Sequence, residues 1–227
     1  MNAVKILDLE NDGKLNMAVD GNYLYIRCKN DIYKFNTTDM TPVAKNNIFK
    51  KDGRARGLKI FGEKIFLYDF LDLYILNKVD LQVSDVIRFG ASLSSDVCGA
   101  MWFDSPNVYV KIRNGRIYTL NLETKDVIKH EVAESSFWAH CVTENSVYIG
   151  TYKGELIEID KTDLRTIRKI QLSRKNIYEV IFHNGLIYSV SQDTTLKIIN
   201  MESFEIIHNI KKAVRGMSNI LGFMKTI

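Results

Sequence analysis

Apolar and polar residues alternate along most of this chain with a period of two, the mark of half-buried β-strands. Tyr33 and Phe35 are spaced this way, as are Tyr74 with Leu76 and Tyr118 with Leu120. No stretch sustains the 3.6-residue apolar period that a helix would need. The alternating runs stop at Asn or Asp, whose short side chain can bond the backbone two residues on and open a turn. Five such segments align without gaps: DIYKFNTTDM, DLYILNKVDL, RIYTLNLETK, ELIEIDKTDL and TLKIINMESF. Their anchors are Asn36, Asn77, Asn121, Asp160 and Asn200, at successive spacings of 41, 44, 39 and 40 residues. A second small polar or acidic residue follows each anchor, at Asp39, Asp80, Thr124, Asp163 and Ser203.

Two further strands precede each anchor segment. The nearer ones read NYLYIRC, KIFLYDF, NVYVKIR, SVYIGTY and LIYSVSQ, and before them come LNMAV, GLKIF, GAMWF, WAHCV and YEVIF. The short joints between the two (DGN, GEK, DSPN, TENS, HNG) are hairpin turns. Each repeat is therefore four strands, A to D. Four antiparallel strands repeating at about 41 residues predict an all-β fold, a β-propeller of four-stranded blades. The expected repeats cover roughly 15–48, 56–90, 97–133, 137–172 and 176–212, within a single domain over 1–227.

The segment SQDTTLKIINMESFEIIHNI resembles a WD40 repeat, with Asp193 at the B–C turn and Ile199-Asn200 in place of the Trp-Asp pair. More loosely, the chain resembles quinoprotein-like propellers. It departs from WD40 in keeping neither that Trp nor the Gly-His of the D–A loop, so the His–Ser–Asp–Trp network of that family is expected to be absent. The resemblance implies a fold and assigns no functional residue.

The ends look like pieces of one more blade. MNAVKILDLENDGKLNM aligns with RKIQLSRKNIYEV as a D strand leading into an A strand, and VRGMSNILGFMKTI resembles the A–B segment ARGLKIFGEKIF. We expect residues 1–9 and 213–227 to form a composite sixth blade that closes the ring, although a five-bladed ring with both ends packed outside is the competing arrangement. Blades bury their faces only against neighbours, so closure matters for stability.

Composition adds little to this picture and contradicts none of it. Hydrophobic residues make up 46% and charged residues 26%, an ordinary globular balance. The three cysteines, Cys28, Cys98 and Cys141, fit no zinc or redox spacing and read as small core residues in a reducing compartment. The first residues carry acids where a signal peptide would be apolar, and no apolar run approaches the ~20 residues of a membrane span. A cytoplasmic protein with no membrane contact is expected.

Chemistry-bearing patterns are sparse. We find no phosphate-binding glycine loop, no HxH, CxxC or EF-hand spacing, and so expect no metal, no cofactor and no enzyme activity. Of the four histidines, His130 and His208 fall on outer D strands and His183 in a turn. His140 sits beside Cys141 on an inner strand, but adjacent strand residues point to opposite faces and cannot act as nucleophile and base together. Asp69, Asp104 and Glu179, on inner strands or their turns, read as turn formers or solvated acids. Trp102, Trp138 and His140 are candidates for a channel-mouth site, with packing between blades as the competing role for the tryptophans.

Charge sorts by face. The net charge of +4 is modest, but strands alternate in direction, so D–A and B–C loops emerge together and A–B and C–D loops emerge opposite. The first set holds Lys50, Lys51, Arg54, Arg56, Arg113, Arg116, Lys153, Arg174, Lys175, Lys211, Lys212 and Arg215. The second holds Asp20, Asp39, Glu63, Asp80, Asp85, Asp104, Glu123, Asp126, Glu144, Asp163, Glu202 and Glu205, where turn preference competes as the reason for the acids. Lys and Arg are not turn formers, so the basic face points to a non-enzymatic scaffold that captures an acidic protein, with nucleic acid a lesser candidate. A small-ligand or carbohydrate-binding (lectin-like) propeller is the alternative function, and a propeller hydrolase or lyase a more distant one.

Overall fold

The computed structural model describes residues 15–48, 57–68, 72–88, 101–112 and 115–212. The expected composite blade falls on residues outside this set. The described strands form five four-stranded antiparallel sheets, each in simple sequence order. The first holds β1 (Leu15–Asp20), β2 (Tyr23–Cys28), β3 (Asp31–Asn36) and β4 (Pro42–Asn47), and the second β5 (Gly57–Phe61), β6 (Lys64–Tyr68), β7 (Asp72–Asn77) and β8 (Val83–Arg88). The third holds β9 (Met101–Asp104), β10 (Asn107–Ile112), β11 (Arg116–Asn121) and β12 (Val127–Glu131). The fourth holds β13 (Phe137–Val142), β14 (Ser146–Thr151), β15 (Glu155–Asp160) and β16 (Thr166–Gln171). The fifth holds β17 (Ile177–His183), β18 (Leu186–Ser191), β19 (Leu196–Asn200) and β20 (Ile206–Ile210). By contacts the chain divides into two compact units, Met1–Phe103 and Asp104–Ile227.

Burial within a sheet follows strand position. All of β14 and most of β6 and β15 are buried, because middle strands are covered on both faces and read as nearly continuous apolar runs. The outer strands β4, β8 and β16 are half-buried at every other residue and otherwise exposed. In the first unit Tyr25, Ile32, Leu58, Ile65, Leu67, Leu76 and Leu81 form one core cluster drawn from both sheets. In the second, Ala139, Tyr148, Leu156, Ile177, Ile187 and Phe204 belong to another. Gly150 on β14 is part of this packing: a methyl there would collide with the Ile177 side chain of the neighbouring sheet.

The C–D turn repeats in all five sheets. The side-chain oxygen of Asn36, Asn77, Asn121, Asp160 or Asn200 accepts the backbone N–H two residues on, as expected of an Asx turn. The fourth residue after the anchor then donates its N–H back to the anchor carbonyl, and the anchor N–H reaches the carbonyl of the fifth. That fourth residue is left-handed every time: Met40 (φ 57°), Leu81 (62°), Lys125 (67°), Leu164 (59°) and Phe204 (58°). Left-handed backbone costs an L-residue roughly 1–2 kcal/mol and would ordinarily select glycine. Here Leu81, Leu164 and Phe204 are buried, so the strained backbone turns a large apolar side chain inward and the burial offsets the strain.

Sheets within a unit are clamped at these same turns. Tyr25 on β2 and Lys34 on β3 both donate to the Lys78 carbonyl (3.5 and 3.2 Å). Tyr109 on β10 donates to the Lys161 carbonyl (3.4 Å), and Arg168 on β16 donates to the carbonyls of Met201 (2.6 Å) and Glu202 (2.8 Å). Lys78, Lys161 and Met201 are each the residue after an anchor. Arg168 is aimed by buried Glu158, which also accepts hydrogen bonds from Ser146 (2.9 Å) and Tyr148 (2.8 Å), and its guanidinium lies 4.5 Å from the Phe204 ring centroid. Burial and the Glu158 carboxylate push the Tyr148 phenol above its ordinary range, so it stays a donor.

Candidate functional site

The D–A/B–C loop face is best defined around the loop between β16 and β17. Leu172 and Ser173 donate backbone N–H groups to the Gly154 carbonyl (2.9 and 3.1 Å). Gln171 donates its amide to the carbonyls of Lys153 (2.7 Å) and Ser173. The Ser173 hydroxyl accepts the Lys175 N–H (2.9 Å) and donates to the Asp193 carboxylate (2.8 Å) in the next sheet's B–C turn. Asp193 also accepts from Ser191, from the Thr195 hydroxyl (2.6 Å) and from the Thr195 N–H (3.0 Å). Burial raises the Asp193 carboxyl, but the bonds from Ser191, Thr195 and Ser173 outweigh it and hold the group well below its usual range.

A side-chain network joins the D–A loop to the B–C turn in the fifth sheet through serine and threonine hydroxyls, with no His or Trp, so it is not the His–Ser–Asp–Trp network of WD40 repeats. The loop's base is tied, and its tip presents Arg174 and Lys175, both exposed. Lys211 and Lys212, just beyond β20, are exposed as well. Arg116 and Lys153 are compensated locally, by Glu131 (3.2 Å) and Glu134 (3.6 Å). A shallow groove of about 450 Å³ beside them is lined by Glu131, Glu134, Glu155, Ile157 and Lys169, so the cations stand next to an acidic furrow. Lys50, Lys51, Arg54, Arg56, Arg113 and Arg215 lie outside the described residues.

In the A–B and C–D turns, several carboxylates serve the fold. Asp39, Asp80 and Asp163 accept the backbone N–H two residues on, which lowers the Asp39 and Asp163 carboxyls below their ordinary value. Asp20 and Glu63 bind Lys78 (2.8 and 3.1 Å), and Asp104 binds Lys161 (3.0 Å). Asp20 and Glu63 in turn hold the Lys78 ammonium above its ordinary pKa. Asp104, exposed as expected of a solvated acid, thus also links the third sheet to the fourth. Sequence reasoning missed Lys78 and Lys161, whose shared place after an anchor was the signal available.

Trp102 is buried, 7% exposed. Trp138 belongs to β13, but its side chain is outside the described set. His140 is half-buried on β13. Burial, with the Glu179 charge adding to it, pushes the Cys141 thiol up to about 12, so it carries almost no thiolate. Burial raises the Glu179 carboxyl against the opposing charge of Lys111, so Glu179 is not an ordinary solvated acid. His130 is half-buried, not solvent-exposed: it meets the Thr119 hydroxyl (3.2 Å), and burial lowers its pKa. His183 and His208 are exposed. Among the described residues, no group of three or more His, Cys, Asp or Glu side chains could hold a metal ion, and no helix is long and apolar enough to cross a membrane.

No protein-family model and no curated protein matches the sequence. Among solved structures the fold is similar to the computationally designed protein Ika8, with a TM-score of 0.73 and 13% identity over 90% of this chain and 64% of that one. It is also similar to BamB from Moraxella catarrhalis, a β-propeller, with a TM-score of 0.67 and 14% identity over 86% of this chain and 63% of BamB. This chain spans just under two thirds of either protein's length. At such identity the likeness concerns fold alone. The chain is all-β and propeller-like, built of repeated four-stranded antiparallel sheets.

Proposed function

We propose that this chain is a non-enzymatic interaction platform that binds an acidic protein segment through its D–A/B–C loop face. The observation that carries the reading is the loop holding Arg174 and Lys175, whose base is fixed by the Ser173–Asp193 contact while both cations face solvent. A fixed loop loses little conformational freedom on binding, and two cations that enter no ion pair among the described residues accelerate encounter with an acidic partner. The hydroxyl network on Asp193 supports a WD40-like descent of the fifth repeat. Aligned chain ends support a ring closed by a composite sixth blade of residues 1–9 and 213–227. An odd count of three cysteines at no zinc or redox spacing supports a cytoplasmic setting.

The test compares wild type with Arg174→Glu/Lys175→Glu, using a fluorescent poly-glutamate peptide and duplex DNA as probes across a salt series. Wild type is expected to bind the peptide with an affinity that falls as salt rises, and the reversed variant to bind at least tenfold more weakly. Equal peptide binding by both proteins overturns the reading. DNA binding with a steep salt slope, and none to the peptide, would transfer the face to a phosphate backbone.

A further inference from the structure

The five outer strands differ in a way that bears on association. β4 carries Lys45, β8 carries Asp85 and Arg88, β12 carries Lys129 and Glu131, and β16 carries Arg168 and Lys169. Charges on an edge strand discourage pairing with another chain. β20, with the sequence IIHNI, has no such charge and, among the described strands, ends its sheet in the order β17-β18-β19-β20. Every residue of it is exposed, including Ile206, Ile207 and Ile210 at 39%, 45% and 46%.

The strand and its flanks are complementary to a second copy of themselves. In the run Glu205-Ile206-Ile207-His208-Asn209-Ile210-Lys211, an antiparallel copy centred on His208 sets Glu205 against Lys211 and Ile206 against Ile210. Ile207 then faces Asn209, and His208 meets its own copy. Each copy contributes both members of every pair, as a two-fold interface requires. Glu205 and Lys211 are both exposed, and among the described residues neither enters an ion pair within the chain. We propose that two copies of this chain associate through β20, antiparallel about a two-fold axis at His208. Ile206 and Ile210 supply the apolar contact, and the two Glu205–Lys211 pairs set direction and register.

The contact is weak by construction. The register of β19 with β20 skips Ile207, a bulge that bends the edge and limits backbone pairing to a short ladder. One strand edge also offers less than the roughly 1,200–2,000 Å² of a stable interface. The dimer should therefore appear as concentration rises.

Sedimentation velocity of the full chain over a concentration series tests this without any partner present, so the result is independent of peptide binding by the loop face. Wild type is expected to move from monomer towards dimer. Glu205→Lys alone and Lys211→Glu alone should each weaken the dimer about tenfold, by replacing two attractive pairs with two repulsive ones. The double variant E205K/K211E should restore it. These exposed positions leave the fold intact, which circular dichroism would verify. Monomer at every concentration, a dimer indifferent to the single reversals, or failure of the double variant to recover would each overturn the proposal.

Discussion

Leu81 shows how one residue can hold two opposed preferences. Its backbone is left-handed (φ 62°), where leucine is disfavoured, yet its side chain is fully buried in the first unit's core. Leu81→Ala removes the burial and keeps the strain, so it should cost about 2–4 kcal/mol. Leu81→Gly removes the same burial but relieves the strain, so it should be about 1 kcal/mol more stable than the alanine variant, the reverse of the usual order in strands and helices. At Lys125 the same conformation is exposed, and Lys125→Gly should raise stability by up to about 1 kcal/mol. Urea unfolding of the three variants checks both statements, and an alanine variant at 81 as stable as the glycine one would contradict them. Nothing in the sequence marked these residues. A pattern reader expects glycine at such a position and takes an apolar residue after Asp80 as the start of the next strand.

At the scale of elements, the loop between β16 and β17 and the B–C turn after β18 are joined by Asp193. Its carboxyl is depressed in the folded state, so its contribution is complete above the ordinary carboxylate pKa of about 4 and is lost as pH falls below it, towards the folded-state value. Asp193 is partly exposed, so solvent screens the contribution. Asp193→Asn should cost about 1–2 kcal/mol at pH 7, judged from charge-assisted hydrogen bonds. The gap between wild type and variant should hold steady down to about pH 5 and shrink at lower pH. A gap unchanged at pH 3 would argue that the carboxylate charge is immaterial. The strands and the Asx turns were legible because period-two alternation and an Asn or Asp stop are local signals. The Ser173–Asp193 contact was not, since it joins residues 20 apart through hydroxyls in place of the familiar Gly-His. Lys78 and Lys161 were hidden for a related reason: Asp20 and Asp104, which they bind, lie on the neighbouring sheet, and sequence alone does not give the register between sheets.

For the whole molecule, the repeat count and the four-strand unit could be read directly, because five anchors recur at nearly constant spacing. The candidate site was legible only as a tendency of charge. Loop assignment placed Arg174 and Lys175 on one face, but not the compensation of Arg116 by Glu131 or of Lys153 by Glu134. Closure by residues 1–9 carries its own expectation. If that segment completes a blade, its deletion should lower the melting temperature of the entire domain in one cooperative transition, since each blade is stabilised by its neighbours. Calorimetry showing an unchanged transition would favour a five-bladed ring with loose ends.

The clamps between sheets have a consequence for the order of the repeats. The position two before the anchor is Lys34 in the first sheet, which donates directly to the following turn, but Glu158 in the fourth, which must recruit Arg168 to do so. The first and fourth sheets thus carry different keys for the turn that follows. The repeats share one backbone plan without being interchangeable: the fifth repeat's turn, offered to the first sheet, would meet Lys34 where it now meets a guanidinium stacked on Phe204. Such mismatches disfavour exchange of neighbours between otherwise similar repeats.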